Sequence, residues 1–173
     1  MSTDLPWRQP RTLADFGGLE GLCPAERKLL EERDTGLPVV LGDGTLPAED
    51  APEERRVRAS FLRWLILGAA GAEGGNHERG IQVKGAFVES DRPWDVESRG
   101  LDVTGCETSV HLSLAQTRFQ DAPVFRGARL ARLDFTGAAL PGFVGDGLSL
   151  RHGVSFARCV VEGPICLLGF SAG

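Results

Sequence analysis

Residues 112–170 read LSLAQTRFQDAPVFRGARLARLDFTGAALPGFVGDGLSLRHGVSFARCVVEGPICLLGF. Apolar residues recur there in pairs with one residue between them: Leu112 and Leu114, Leu133 and Phe135, Leu148 and Leu150, Val154 and Phe156, Ile165 and Leu167. That alternation is the period of a short strand with one buried face. Single apolar residues at Phe119, Leu130, Leu140 and Val160 stand between the pairs, among Gly, Ala, Asp and Arg. The bursts return about every 10 residues and matched bursts about every 21, which is solenoid spacing. A two-residue strand cannot bury a face alone, but stacked on the equivalent strand one coil later it satisfies its backbone and fills a narrow interior. Stacking at that longer interval puts Leu112, Leu133 and Val154 in one column and Leu114, Phe135 and Phe156 in another. Ala128, Ala138 and Gly163 suit the bends. The predicted fold is therefore mainly β: a right-handed parallel β-helix of roughly four to five coils with an N-terminal helical cap.

Upstream the pattern changes, dividing the chain into a helical capping segment over 1–75 and the β-helix over 76–173. PAERKLLEERD, Pro24–Asp34, predicts a short surface helix, with Pro24 at its first position, Glu26 in its first turn and Gly36 closing it. Leu37–Leu41 predicts a strand ended by the turn Gly42-Asp43-Gly44. Asp50, Pro52 and Glu53 resemble a helix start, and Val57, Phe61, Trp64, Leu65 and Gly68 keep the spacing of one buried helical face. Together they predict a helix over Pro52–Leu67, placed to cap the first coil. The glycine-rich stretch 69–79 is read as a linker, because Gly74 and Gly75 lack the following Lys-Ser/Thr of a phosphate-binding loop. Ile81, Val83, Val96, Leu101 and Val103 begin the strand-like bursts, interrupted by a turn-rich excursion over 89–95 that carries Trp94.

The stretch FRGARLARLDFTGAAL resembles a pentapeptide-repeat protein, whose five-residue units centre on Leu or Phe with a small residue two before. Phe125, Leu130, Phe135 and Leu140 fall five apart, as do Val160, Ile165 and Phe170, and Ala128 and Ala138 supply small residues. Gly145 and Ser155 fall where apolar centres belong, and Leu133, Phe143 and Leu168 are large at small positions. The layout as a whole is similar to a bacterial group of pentapeptide-like proteins of uncharacterised function. There a PAER helix, an LGDG turn and a VRA-x-FLRWL helix precede the repeats, matched here by Pro24–Arg27, Leu41–Gly44 and Val57–Leu65. The resemblance implies a β-helical fold and brings no catalytic motif; such proteins are sometimes membrane-associated.

The net charge of −5 is uneven. Residues 1–104 hold 13 Lys/Arg against 19 Asp/Glu, and residues 105–173 hold 6 against 5. The near-neutral repeat is neither a DNA-like acidic rod nor a basic nucleic-acid groove. Cys23, Cys106, Cys159 and Cys166 form no C-x-x-C pair and have no closely spaced His, so buried thiols in a reducing cytoplasm are expected, without a metal or cofactor. The N-terminus has no basic region leading an apolar run, and no segment approaches the ~20 apolar residues of a membrane helix.

The candidate chemistry is sparse. His111 and His152 are about two coils apart, which at strand spacing puts the rings about 10 Å apart and out of reach of a shared metal. His77 sits in a polar loop with no nucleophile elbow in the sequence. Asp134 is expected to project outward beside Ser113 and Ser155, with Asp146 and Glu162 as further carboxylates, in the manner of the faces on which β-helical polysaccharide enzymes work. Arg118, Arg126, Arg129, Arg132, Arg151 and Arg158 read as a solubilising stripe. After Phe170 only Ser-Ala-Gly follows, so the last coil is expected to belong to a longer solenoid or to be covered by a protein partner or a second copy. The candidate interaction surface is His111, Arg132, Asp134, Ile165, Leu167 and Phe170. The lead function is a non-enzymatic scaffold or protein-interaction module. The alternatives are a carbohydrate-polymer enzyme on the flat face and a DNA-mimicking topoisomerase binder like the quinolone-resistance pentapeptide proteins.

Overall fold

A computed structural model describes residues 10–68, 77–91 and 99–173. Trp94, Val96 and the Gly74-Gly75 part of the expected linker lie outside the described residues. Short strands dominate, all paired in parallel, with few helices between them. The first sheet takes β1 (Val39–Val40), β3 (Ile81–Lys84), β5 (His111–Ala115), β8 (Arg132–Asp134) and β12 (Val154–Ser155) in that order. The second takes β2 (Arg56–Arg58), β4 (Phe87–Glu89), β6 (Arg118–Phe119), β9 (Ala139–Leu140) and β13 (Val160–Val161). β10 (Phe143–Val144) and β14 (Ile165–Cys166) make the third, extended backward by bridges Asp102–Val124 and Val124–Val144. β7 (Arg129–Leu130), β11 (Ser149–Leu150) and β15 (Ser171–Ala172) make the fourth, joined by the bridge Glu107–Arg129. From β5 onward the chain visits the four sheets in fixed rotation, one pass after another.

The register follows the spacing of the apolar pairs. Leu112 pairs with Leu133, and Leu133 with Val154, two equal steps along the chain. The second sheet keeps the same step, from Arg118 to Ala139 to Val160. In the third sheet the steps from Asp102 to Val124 to Val144 to Cys166 alternate, the middle one being two residues shorter than its neighbours. The fourth repeats this, from Glu107 to Arg129 to Ser149 to Ser171. Earlier passes are longer. The steps from Arg56 to Phe87 and from Ile81 to Leu112 are half as long again, and that from Val39 to Val83 is about double.

The interior is filled by side chains that alternate inward. Leu112, Leu114, Leu133, Phe135, Ala128 and Ala138 are fully buried. Phe125, Phe135, Phe143 and Phe156 form one ring cluster, with Phe135 stacked on Phe156 at 5.6 Å between centroids. Phe143 repairs the irregularity at Gly145: a Cβ on Gly145 would fall 2.7 Å from the Phe143 ring and 2.9 Å from Leu167. At Gly163 a Cβ would lie 2.2 Å from the Pro141 carbonyl oxygen, so the backbones meet there and only glycine fits.

The expected N-terminal helix is α1, Pro24–Glu32, but it is less superficial than its thin stripe suggests, since Ala25, Glu26, Leu29 and Leu30 are all buried. The helix expected over Pro52–Leu67 is corrected: residues 56–58 are β2, and the helix α2 is Ala59–Ile66. The backbone of Arg56–Arg58 is drawn into the second sheet against Phe87–Glu89, which outcompetes the local helix-start signal. Asp50 does not cap it. Asp91 does so from a distant loop, accepting from the Ser60 N–H at 3.0 Å and from the Ser60 hydroxyl. α2 is buried almost all round; Phe61 and Trp64 pack with Phe16, and Arg63 donates to the Asp102 carbonyl at 2.8 Å. Among the described residues no helix is long and apolar enough to cross a membrane.

Candidate functional site

The first sheet presents Gln82, Ser113, Asp134 and Ser155 in register along its outer side, since Leu112, Leu114 and Leu133 take the inner one. An open groove of about 610 Å³ crosses this face, lined by Glu78, Arg79, Gln82, His111, Arg132 and Asp134. Three of the expected surface residues, His111, Arg132 and Asp134, are thus brought together.

Asp134 spends its carboxylate on the fold. One oxygen accepts from the Thr136 N–H at 2.9 Å and the Thr136 hydroxyl at 2.6 Å, and the other from the Ser113 hydroxyl at 3.2 Å. Thr136 in turn meets the Ser155 hydroxyl at 3.3 Å. The result is a polar ladder tying three passes together at a turn.

The wide separation expected for the two histidines, a full two strand spacings, is corrected: the His111 and His152 rings lie 5.4 Å apart, tilted by 34°. The links between the fourth and first sheets differ in length around the pair. Arg129 to Leu133 is spanned by three residues, whereas Glu107 to Leu112 and Ser149 to Val154, on either side of it, are each spanned by four. His111 is in register with Arg132 at the start of β5, and the His152 N–H donates to the Ala131 carbonyl at 2.8 Å, so the two histidines flank this short link.

The last pass carries the other expected surface residues. Ile165 is 47% exposed, while Leu167 and Phe170 are half-buried against the core. Val160 at 56% and Leu168 at 84% are more exposed than any of them. Leu168 stands where the five-residue pattern wants a small residue, and that misfit was the available signal. Among the described residues the strands here, β12 to β15, are each paired on one side only.

Two further features escaped the sequence reading. A groove of about 410 Å³ lies on the second sheet among Glu49, Phe87, Arg118, Ala139, Pro141 and Glu162. Its Phe87 ring is covered by the Arg56 guanidinium at 4.9 Å, and Arg118 donates to the Pro47 carbonyl at 2.7 Å. Elsewhere the fully buried Glu26 accepts from the Arg58 N–H at 3.0 Å and from its guanidinium at 2.9 and 2.7 Å. Hydrogen bonding to Glu26 pushes the Arg58 pKa up. Beside them Cys23 donates to the Arg56 carbonyl at 3.0 Å, and burial pushes its pKa up to about 11, keeping it an unreactive thiol. All four cysteines are free. Among the described residues no group of three or more His, Cys, Asp or Glu is placed to hold a metal ion. No family model, curated protein or solved structure matches the chain.

Proposed function

We propose that the chain is a right-handed parallel β-helix of the pentapeptide-repeat kind, serving as a non-enzymatic scaffold that engages a protein partner, or a second copy of itself, through its last pass. The fixed rotation through four parallel sheets, at the solenoid interval of the apolar pairs, supports the fold. The observation that carries the function is the last pass itself. Among the described residues its four strands are each paired on one side only, beside the exposed Val160, Ile165 and Leu168. Free edges template further strand pairing, and apolar side chains beside them supply the burial that makes such pairing hold. The tightly bonded Asp134 supports a structural rather than catalytic outer face. The free thiols suit a reducing compartment such as the cytoplasm.

Sedimentation velocity over a wide concentration range tests this, with Ile165→Arg/Leu168→Arg alongside. The expected result is reversible self-association that the double variant abolishes while its circular dichroism stays the same. A chain that remains monomeric throughout, with the variant indistinguishable, removes the self-association reading. Hydrolysis of a carbohydrate polymer that Asp134→Asn abolishes without moving Tm would replace the scaffold with an enzyme.

A further inference from the structure

The His111–His152 pair plays no part in the proposed docking of the last pass. It is built by the fold rather than by proximity in sequence: the rings come from passes separated by a third, and the Arg129–Leu133 link between them is one residue shorter than the links on either side. With nitrogen–metal bonds of about 2.0–2.1 Å, an ion serving both rings lies roughly 3.2 Å from each centroid. Centroids 5.4 Å apart then subtend about 115° at it, close to the tetrahedral angle. His111 is half-buried and His152 exposed, which leaves the rings freedom to turn a nitrogen toward a common ion and leaves its remaining positions to water.

We propose that His111 and His152 together form a two-imidazole site for a single divalent transition-metal ion, with copper(II) bound more tightly than zinc(II), that staples the outer links of alternate passes. Imidazole nitrogens suit these metals, and the order follows the general affinity series. The surrounding charges set the strength. Arg132, in register with His111, and Arg79 oppose a cation, whereas Glu78 in the same groove favours one. Asp134 is held by Ser113 and Thr136 and does not join the ligands. The ion's other positions, filled by water, remain exchangeable.

Calorimetric titration of the full chain with copper(II) chloride and with zinc(II) chloride tests the site. The expected result is one ion per chain, with His111→Ala and His152→Ala each weakening binding by roughly a hundredfold, because the second tethered ligand supplies the effective concentration. Inserting one Gly between Ala131 and Arg132 lengthens the short link and is expected to weaken binding similarly while both histidines remain. Two independent ions per chain, each removed by one substitution, would overturn the proposal. So would binding that neither substitution changes, or no binding to the wild type. The two alanine variants decide the matter even if the insertion fails to fold.

Discussion

Glu26 shows how much one residue can hold in place. Its carboxylate is fully buried and joins the start of α1 to the start of α2, accepting from the Cys23 N–H at 3.3 Å on one side and from Arg58 on the other. The Arg58 guanidinium also lies over Phe16 at 5.2 Å, so the ion pair and the aromatic cluster share a partner. Glu26→Gln keeps the shape but leaves a half-buried guanidinium without its charge partner, a change that costs about 3 kcal/mol when a buried pair is broken. Urea denaturation is expected to show that loss as a lower midpoint with unchanged slope. From sequence, PAER reads as a helix start, and so it is. What could not be read is that Glu26 turns inward, because its partner Arg58 is distant in the chain and only the fold brings it near. The histidine pair has the same origin: strand spacing fixes the distance between backbones, not between the rings they carry.

Elements were legible where the burial period is strict and illegible where pairing competes with propensity. Leu112, Leu133 and Val154 stand in the register that their spacing predicts. The Pro52–Leu67 segment does not keep the helix written into it, because three of its residues are better satisfied as β2 in a sheet whose other strands come later in the chain. Phe143 is the instructive misfit. It occupies a position reserved for a small residue, yet it is fully buried, and its ring takes the space Gly145 leaves while touching Phe125, Phe135 and Phe156. Phe143→Ala empties the joint between β10 and the ring cluster and is expected to destabilise by about 3–5 kcal/mol, read as the shift in denaturation midpoint. Binding of a small apolar probe such as benzene in the resulting cavity would show that the space stays open.

For the molecule as a whole, stability is expected to be graded along the chain, because each pass contacts mainly its neighbours. Among the described residues β6, β8 and β9 are paired on both sides, whereas β13, β14 and β15 are paired on one. Hydrogen exchange, measured where the chain is monomeric, is therefore expected to be fastest in the last pass and slowest around Leu112–Leu140. Uniform protection would mean that the passes unfold as one cooperative unit. The rotation of passes could be inferred from composition and spacing, but the uneven steps could not, since a longer pass followed by a shorter one averages to the same period. Those uneven steps have a consequence for how such a chain can grow. From Leu112 onward each ladder advances by the same length of chain over two passes, whether from Leu112 to Val154, Arg118 to Val160, Val124 to Cys166 or Arg129 to Ser171. Gln116 and Arg158, the non-glycine residues with positive φ among those described, are separated by that same length, and Gly137 takes the conformation midway between them. The structural module of these passes is thus a doublet: an insertion of two whole passes would leave every link length in place, whereas an insertion of one would set like against like and break the alternation.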